Sequence, residues 1–132
     1  VQAQVLDLLK KLCRDHGASV ILITHDMGVI AETTDRVAVL YAGRLAEIGS
    51  TTEVINRPQH PYTRGLIAST PSVEYGDIDT RLFQIEGAMP RHDPLPDGSA
   101  FHPRCEHASQ RCKDRRPDLL QDRAACWLCA DG

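Results

Sequence analysis

The sequence has no long apolar run and no excess of positive charge, and each absence excludes a class of protein. Its apolar stretches fall well short of the roughly 20 residues that cross a bilayer. With 15 basic and 18 acidic residues, the net charge is -3, which gives no electrostatic argument for nucleic acid as a partner. The start, Val1-Gln2-Ala3-Gln4, has neither a signal-peptide pattern nor an initiator methionine. We therefore expect a fragment of a longer globular protein.

Cysteine is scarce along most of the chain and concentrated near its end. Four of the five cysteines fall within the last 28 residues, at Cys105, Cys112, Cys126 and Cys129. Four thiolates with one close pair suit either tetrahedral zinc or an iron–sulfur cluster. Disulfide bonds between these cysteines are the weaker interpretation, because disulfides are typical of exported proteins and the sequence has no export signal. The fifth, Cys13, lies next to an apolar helical stripe and is interpreted as a packing residue.

The stretch 19–24 predicts a buried strand, and a polar pair follows it. The strand contains four consecutive apolar residues. Asp26 can cap the helix that begins at Met27. In open α/β sheets, ligands bind just outside the carboxyl ends of strands, so His25 is a candidate binding residue. The alternative interpretation, a histidine that merely ends a strand, stays open on position alone.

The rest of the chain divides into a patterned part, 1–70, and a tail, 71–132, that is rich in proline and glycine at its start. The tail is predicted to be irregular, with one short strand near Leu82 to Ile85. Hydrophobic spacing and capping signals predict the other elements. In order, these are a helix over 2–16, the 19–24 strand, a helix over about 27–33, a hairpin of strands 36–41 and 44–48, a helix starting near Thr51, and a short helix from Tyr62 to Ser69.

Several motifs together resemble the end of an ABC-transporter ATPase domain. Leu22-Ile23-Thr24-His25-Asp26 resembles the switch-histidine motif, 35–44 resembles the strand pair that follows it, and 1–4 resembles the residues after the D-loop. His60-Pro61-Tyr62-Thr63-Arg64 and Phe101-His102-Pro103-Arg104-Cys105 resemble the signature of the oligopeptide/dipeptide (and nickel) importer ATPases. The resemblance covers essentially the whole chain.

This resemblance implies an α/β fold. Residues 1–70 would form the C-terminal portion of a P-loop ABC ATPase domain, with its elements in the order helix, strand, helix and hairpin. Residues 71–132 would form the C-terminal extension of the oligopeptide/dipeptide transporter family, an irregular tail that contains the cysteines. The sequence contains no G-x-x-x-x-G-K-[ST] phosphate loop. That loop and the signature motif would lie upstream of Val1 in a full-length subunit. We therefore expect the full-length subunit to hydrolyse ATP and the isolated chain to be inactive.

The resemblance also implies a role and a setting for His25. In the family this histidine senses the γ-phosphate of ATP and helps to hold the attacking water, with Mg as the metal of the full-length subunit. The implied function is ATP-driven import of peptides or related solutes, nickel included. The implied partners are a second ATP-binding subunit, the transmembrane permease subunits and, indirectly, a solute-binding protein. The implied location is peripheral, on the cytoplasmic face of the inner membrane. The alternative is an autonomous metal-binding or regulatory module that binds no nucleotide.

For the tail, the resemblance implies a four-cysteine iron–sulfur site, possible here as a 4Fe-4S cluster. Ser99 stands where its usual first cysteine is expected, and Cys129 lies beyond Cys126, the usual last one. The candidate ligands are therefore Cys105, Cys112, Cys126 and Cys129, with zinc or no metal as alternatives. His60 and Tyr62 are interpreted as structural residues at the junction between ATPase core and tail.

Overall fold

The computed structural model describes residues 2–69, 85–90, 94–119 and 123–127. The first helix, α1 (Gln2–His16), has the predicted bounds and carries Arg14 and His16 in its last turn, where positive charge favours the helix dipole. Its apolar stripe is only partly covered, since Leu8 is 57% exposed. Lys10 Nζ donates to the carbonyl oxygen of Glu32 at 2.7 Å. None of the helices among the described residues combines the length and the apolar composition of a membrane span.

The predicted strand over 19–24 is not formed, and this part of the fold prediction is wrong. Residues 17–24 have no regular secondary structure, and Ile21 and Ile23 are 91% and 93% exposed. A strand is stabilised by hydrogen bonds to a neighbouring strand. The sheet among the described residues has two strands, both later in the chain, and 19–24 pairs with neither. Apolar sequence alone therefore does not make this segment a strand.

The predicted hairpin is confirmed. Strand β1 (Arg36–Tyr41) pairs antiparallel with β2 (Arg44–Ser50), with an irregularity between Val39 and Leu40. The two turn residues, Ala42 and Gly43, have φ of 50° and 75°. Positive φ at both positions matches the right-handed twist of a tight hairpin. Alternate residues of β1 are buried, so one face of the hairpin packs into the core.

Three short helices surround this hairpin. Helix α2 (Met27–Thr33) precedes it, and α3 (Thr51–Asn56) and α4 (Pro61–Ser69) follow. Ser50 caps α3, since its Oγ accepts from the Glu53 N–H at 3.3 Å. The hydrophobic core joins these elements to the tail. Its buried members are Met27, Ile30, Val37, Val39, Tyr41, Ala46, Val54, Ala100 and Phe101.

The tail is more regular than predicted. It contains a 3-10 turn (His102–Arg104) and a short helix, α5 (Gln110–Asp114). An isolated antiparallel bridge pairs Glu47 of β2 with Ala124, so the tail extends the hairpin edge. The predicted strand near Leu82 to Ile85 and the boundary between 70 and 71 fall largely or wholly outside the described residues, as does Cys129. Among the described residues, the fold is thus a mixture of helices and strands with one small antiparallel sheet.

Candidate functional site

His25 lies in a turn that side chains fix on both sides. Thr24 Oγ1 accepts a hydrogen bond from the Asp26 N–H at 3.1 Å. Asp26 Oδ1 accepts from the N–H groups of Gly28 and Val29 at 2.9 and 3.2 Å, so its predicted role as the α2 cap is confirmed. The His25 side chain itself is exposed. Hydrogen bonds of the neighbouring residues therefore fix the backbone at His25, while its imidazole is accessible to a ligand or another protein segment.

His60 occupies the junction between the hairpin, α4 and the tail. It is buried, its Nδ1 accepts from the Tyr62 N–H at 3.0 Å, and its ring hydrogen-bonds the backbone of Ala125. Because Nδ1 accepts, the proton of the neutral ring is on Nε2. Burial lowers the pKa of His60 from 6.5 to about 4, although the bond to Ala125 acts in the opposite direction. His60 is thus a neutral structural group near pH 7.

Three aromatic rings complete this junction. The ring of Tyr41 on β1 lies 4.6 Å from Tyr62 on α4 and 5.1 Å from Phe101 in the tail, measured between centroids. Both pairs meet edge to face, a favourable geometry for aromatic rings. Arg104 Nη1 donates to the hydroxyl of Tyr41 at 3.4 Å. These contacts support the structural interpretation of His60 and Tyr62 as residues that join the hairpin and α4 to the tail.

Three of the four predicted cysteine ligands lie around one small cavity, which we call the thiol cavity. Cys105, Cys112 and Cys126 line this space of about 20 Å³, together with His60 and His107 among others. Burial raises the pKa of the Cys105 thiol; the nearby Cys126 and Cys112 add to this, and a backbone hydrogen bond from His107 opposes it. His25 is not among the lining residues, so the structure does not bring all the predicted site residues together.

Residue 99 also faces the thiol cavity. Ser99 is one of its lining residues, and the Ser99 N–H donates to the carbonyl of Cys112 at 2.8 Å. The preceding Gly98 has φ of +70°, and a Cβ there would lie 2.3 Å from the Cys112 carbonyl oxygen. Only glycine fits this close backbone approach. The position where the resemblance expects a cysteine is therefore next to the other three.

The thiol cavity is not a formed metal centre. Across the described ranges, no three His, Cys, Asp or Glu side chains are arranged to hold a metal ion. A tetrahedral thiolate site needs four ligands at about 2.3 Å from zinc, and the fourth candidate, Cys129, is not described. The described residues therefore supply three clustered thiols of the predicted set.

Two residues that sequence reasoning missed connect the tail to the hairpin. Glu47 is fully buried on β2, and Arg123 Nε lies 3.9 Å from its carboxylate. The one signal in the sequence was an acidic residue inside an apolar strand pattern. Its partner lies 76 positions later, and no local pattern indicates that separation.

Comparison with known proteins identifies the family. The family model described as the oligopeptide/dipeptide transporter, C-terminal region, matches residues 46–112, about half of the chain. The chain is 44% identical over 132 residues to the oligopeptide transport ATP-binding protein AppD of Bacillus subtilis, covering 97% of this chain and 40% of the relative. The dipeptide transport ATP-binding protein DppD of the same organism is 45% identical over 132 residues, covering 97% of this chain and 39% of the relative.

A putative peptide import ATP-binding protein of Brucella ovis is 42% identical over 123 residues, covering 90% of this chain and 36% of the relative. The chain thus spans about 40% of the length of the first two relatives. The prediction from the His60-Pro61-Tyr62 and Phe101–Cys105 motifs is confirmed. The chain belongs to the oligopeptide/dipeptide transporter family and contains its characteristic C-terminal region.

Proposed function

We propose that this chain is the C-terminal portion of the ATP-binding subunit of an ABC importer, which hydrolyses ATP to drive the uptake of peptides. The observation that carries the proposal is the 44–45% identity, over 97% of the chain, to proteins named as oligopeptide and dipeptide transport ATP-binding proteins. In the full-length subunit, ATP and Mg would bind largely to residues outside this chain. The proposed partners are a second ATP-binding subunit, permease subunits and, indirectly, a solute-binding protein, with the subunit peripheral on the cytoplasmic face of the inner membrane.

Within this proposal, His25 donates a hydrogen bond to the γ-phosphate and helps to position the attacking water. Negative charge on the γ-phosphoryl oxygens is stabilised best by donors that are already in place. The support from the structure is the turn itself: Thr24 and Asp26 hold the backbone on either side of His25, and the imidazole is exposed. Asp26 acts as a helix cap, since its carboxylate is occupied by two backbone N–H groups.

The test is ATP hydrolysis by the full-length subunit with His25→Ala. Removing one donor aimed at the developing charge should lower the rate about a hundredfold, which is about 3 kcal/mol of transition-state stabilisation. ATP affinity should change little, because the other phosphate contacts remain. His16→Ala, which removes an exposed histidine at the end of α1, is the matched control and should hydrolyse at the parental rate. Parental hydrolysis by His25→Ala would refute the assigned role.

A second proposal concerns the thiol cavity: Cys105, Cys112, Cys126 and Cys129 would hold an iron–sulfur cluster, with zinc as the alternative. The support is the position of three of these thiols around one cavity. When bound, a cluster or zinc ion would cross-link the tail and so stabilise a segment with little core of its own. Anaerobic reconstitution should give a brown protein for a cluster. One equivalent of metal in a colourless protein would indicate zinc, and reaction of all four thiols with no metal present would exclude both.

A further inference from the structure

Glu47 is a buried carboxylate in the middle of β2 that fixes the turn between α3 and α4. Its side chain is fully buried, and its two oxygens accept from the N–H groups of Gln59 at 2.9 Å and His60 at 3.0 Å. A carboxylate without solvent is costly to bury unless it is hydrogen-bonded and paired with a positive charge. The hydrogen bonds come from this turn, so the counter-charge must come from elsewhere.

Arg123, in the tail, supplies that charge. Its Nε lies 3.9 Å from Glu47 Oε1, and its Nη2 donates to the carbonyl oxygens of Glu53 at 3.1 Å and Arg57 at 2.8 Å. These carbonyls lie at the C-terminal end of α3, where a cation is favourable. The Arg123 Nε is buried and makes no hydrogen bond within the described residues. Without the Glu47 charge, the guanidinium would therefore be poorly compensated.

The backbone on either side of Arg123 pairs with β2. The Ile48 N–H donates to the Arg123 carbonyl, and the Ala125 N–H donates to the Ala46 carbonyl, both at 2.7 Å. These bonds form the bridge between Glu47 and Ala124, and Ala124 is fully buried. Cys126 directly follows Ala125, is 8% exposed, and lines the thiol cavity. Docking of 123–125 therefore holds the backbone that leads directly into Cys126.

The other two thiols are held by different contacts. The Cys112 carbonyl accepts from the Ser99 N–H at 2.8 Å, and the Cys112 Sγ lies 3.4 Å from Ser109 Oγ. The Cys105 N–H donates to the His102 carbonyl at 3.3 Å. None of these hydrogen bonds involves Glu47 or Arg123. These hydrogen bonds of Cys105 and Cys112 are thus separate from the contacts that dock 123–125.

We infer that Glu47 is a positioning residue for Cys126: through its pair with Arg123 it docks the 123–125 segment on β2 and so holds this one thiol in the thiol cavity. The same carboxylate fixes His60, whose ring bonds Ala125. The turn between α3 and α4 and the Cys126 segment therefore form one cooperative unit around Glu47. The contacts of this unit are made by this chain's own residues, so the inference can be tested apart from the proposed function.

The test measures the alkylation rate of each cysteine by N-ethylmaleimide, located by mass spectrometry, in protein that elemental analysis shows to be free of iron and zinc. Glu47→Gln keeps the side-chain size but removes the negative charge that compensates Arg123. Its amide NH2 would also face one of the two N–H groups, of Gln59 or His60, that donate to Glu47, and two donors cannot hydrogen-bond each other. The Cys126 rate should rise at least about tenfold, which is about 1.4 kcal/mol less free energy for local opening. The Cys112 rate should change by less than about twofold. Glu32→Gln, which alters an exposed glutamate on α2, is the control and should leave all rates unchanged.

Arg123→Leu removes the other partner of the pair and should expose Cys126 with the same selectivity. Equal acceleration of Cys105, Cys112 and Cys126 in both variants would show that the pair supports the whole fold and would overturn the inference. An unchanged Cys126 rate in both variants would also overturn it. Because the protein tested contains no iron or zinc, failure of the metal proposal would not produce either result.

Discussion

Acid should destabilise the fold through His60, because the folded protein keeps this ring neutral. Its pKa is lowered from 6.5 to about 4 by burial, so between these values the unfolded chain binds a proton that the folded chain does not. Stability therefore rises with pH across this window and is lost as the pH falls from about 6.5 to about 4. A shift of this size corresponds to about 3 kcal/mol at about 1.4 kcal/mol per pKa unit.

The assay is urea unfolding of the chain at a series of pH values, for the parent and for His60→Gln. The carboxylates of the chain titrate in the same range, so the informative quantity is the difference in unfolding free energy between the two proteins. That difference should shrink by about 3 kcal/mol between pH 7 and pH 4 as the parent loses the advantage of the neutral ring. His16→Gln, at an exposed position, should follow the parent at every pH. A parent-to-variant difference that stays constant from pH 7 to pH 4 would refute the buried, neutral state of His60.

Three further predictions concern the tail and the nucleotide. Gly98→Ala should destabilise the chain by about 2 kcal/mol or more in urea unfolding. The new Cβ would lie 2.3 Å from the Cys112 carbonyl oxygen, and the φ of +70° at this position is unfavourable for alanine. An unchanged unfolding midpoint would contradict this packing. Cys112→Ser should abolish metal uptake measured by elemental analysis while Cys13→Ser should not, and equal uptake by both variants would exclude Cys112 as a ligand. The chain alone, which lacks the phosphate loop, should keep its Tm in millimolar ATP, since only a bound ligand stabilises; a shift of several degrees at micromolar ATP would contradict this expectation.

The elements that sequence reasoning predicted correctly are those whose cause is local. The Asp26 cap requires only the N–H groups two and three residues later. The hairpin depends on the alternation of β1 and on a turn that takes positive φ at Ala42 and Gly43. The 19–24 prediction was wrong because a strand requires a pairing partner, and an apolar run does not specify one.

The arrangement of the tail could not be predicted, because distant pairs determine it. Glu47 and Arg123 meet across 76 positions of sequence, and the close approach of Gly98 to Cys112 follows from tertiary packing. The cysteine spacing indicated a shared site, and three of the four thiols do line one cavity. The residues that bring Cys126 to that cavity carry no metal-ligand signature. Its placement depends on charge pairing and backbone pairing with β2.

ATP-dependent peptide uptake by the complete transporter in proteoliposomes tests the central claim most directly. The full-length subunit containing this chain is assembled with its permease partners and solute-binding protein, and uptake of a labelled oligopeptide is measured with and without ATP. The account predicts ATP-dependent uptake that is nearly lost with His25→Ala and retained with His16→Ala. Uptake of nickel ions but of no peptide would contradict the proposed substrate class. Peptide uptake at the parental rate with His25→Ala would contradict the proposed role of His25, and uptake that does not need ATP would contradict the proposed role of the ATPase.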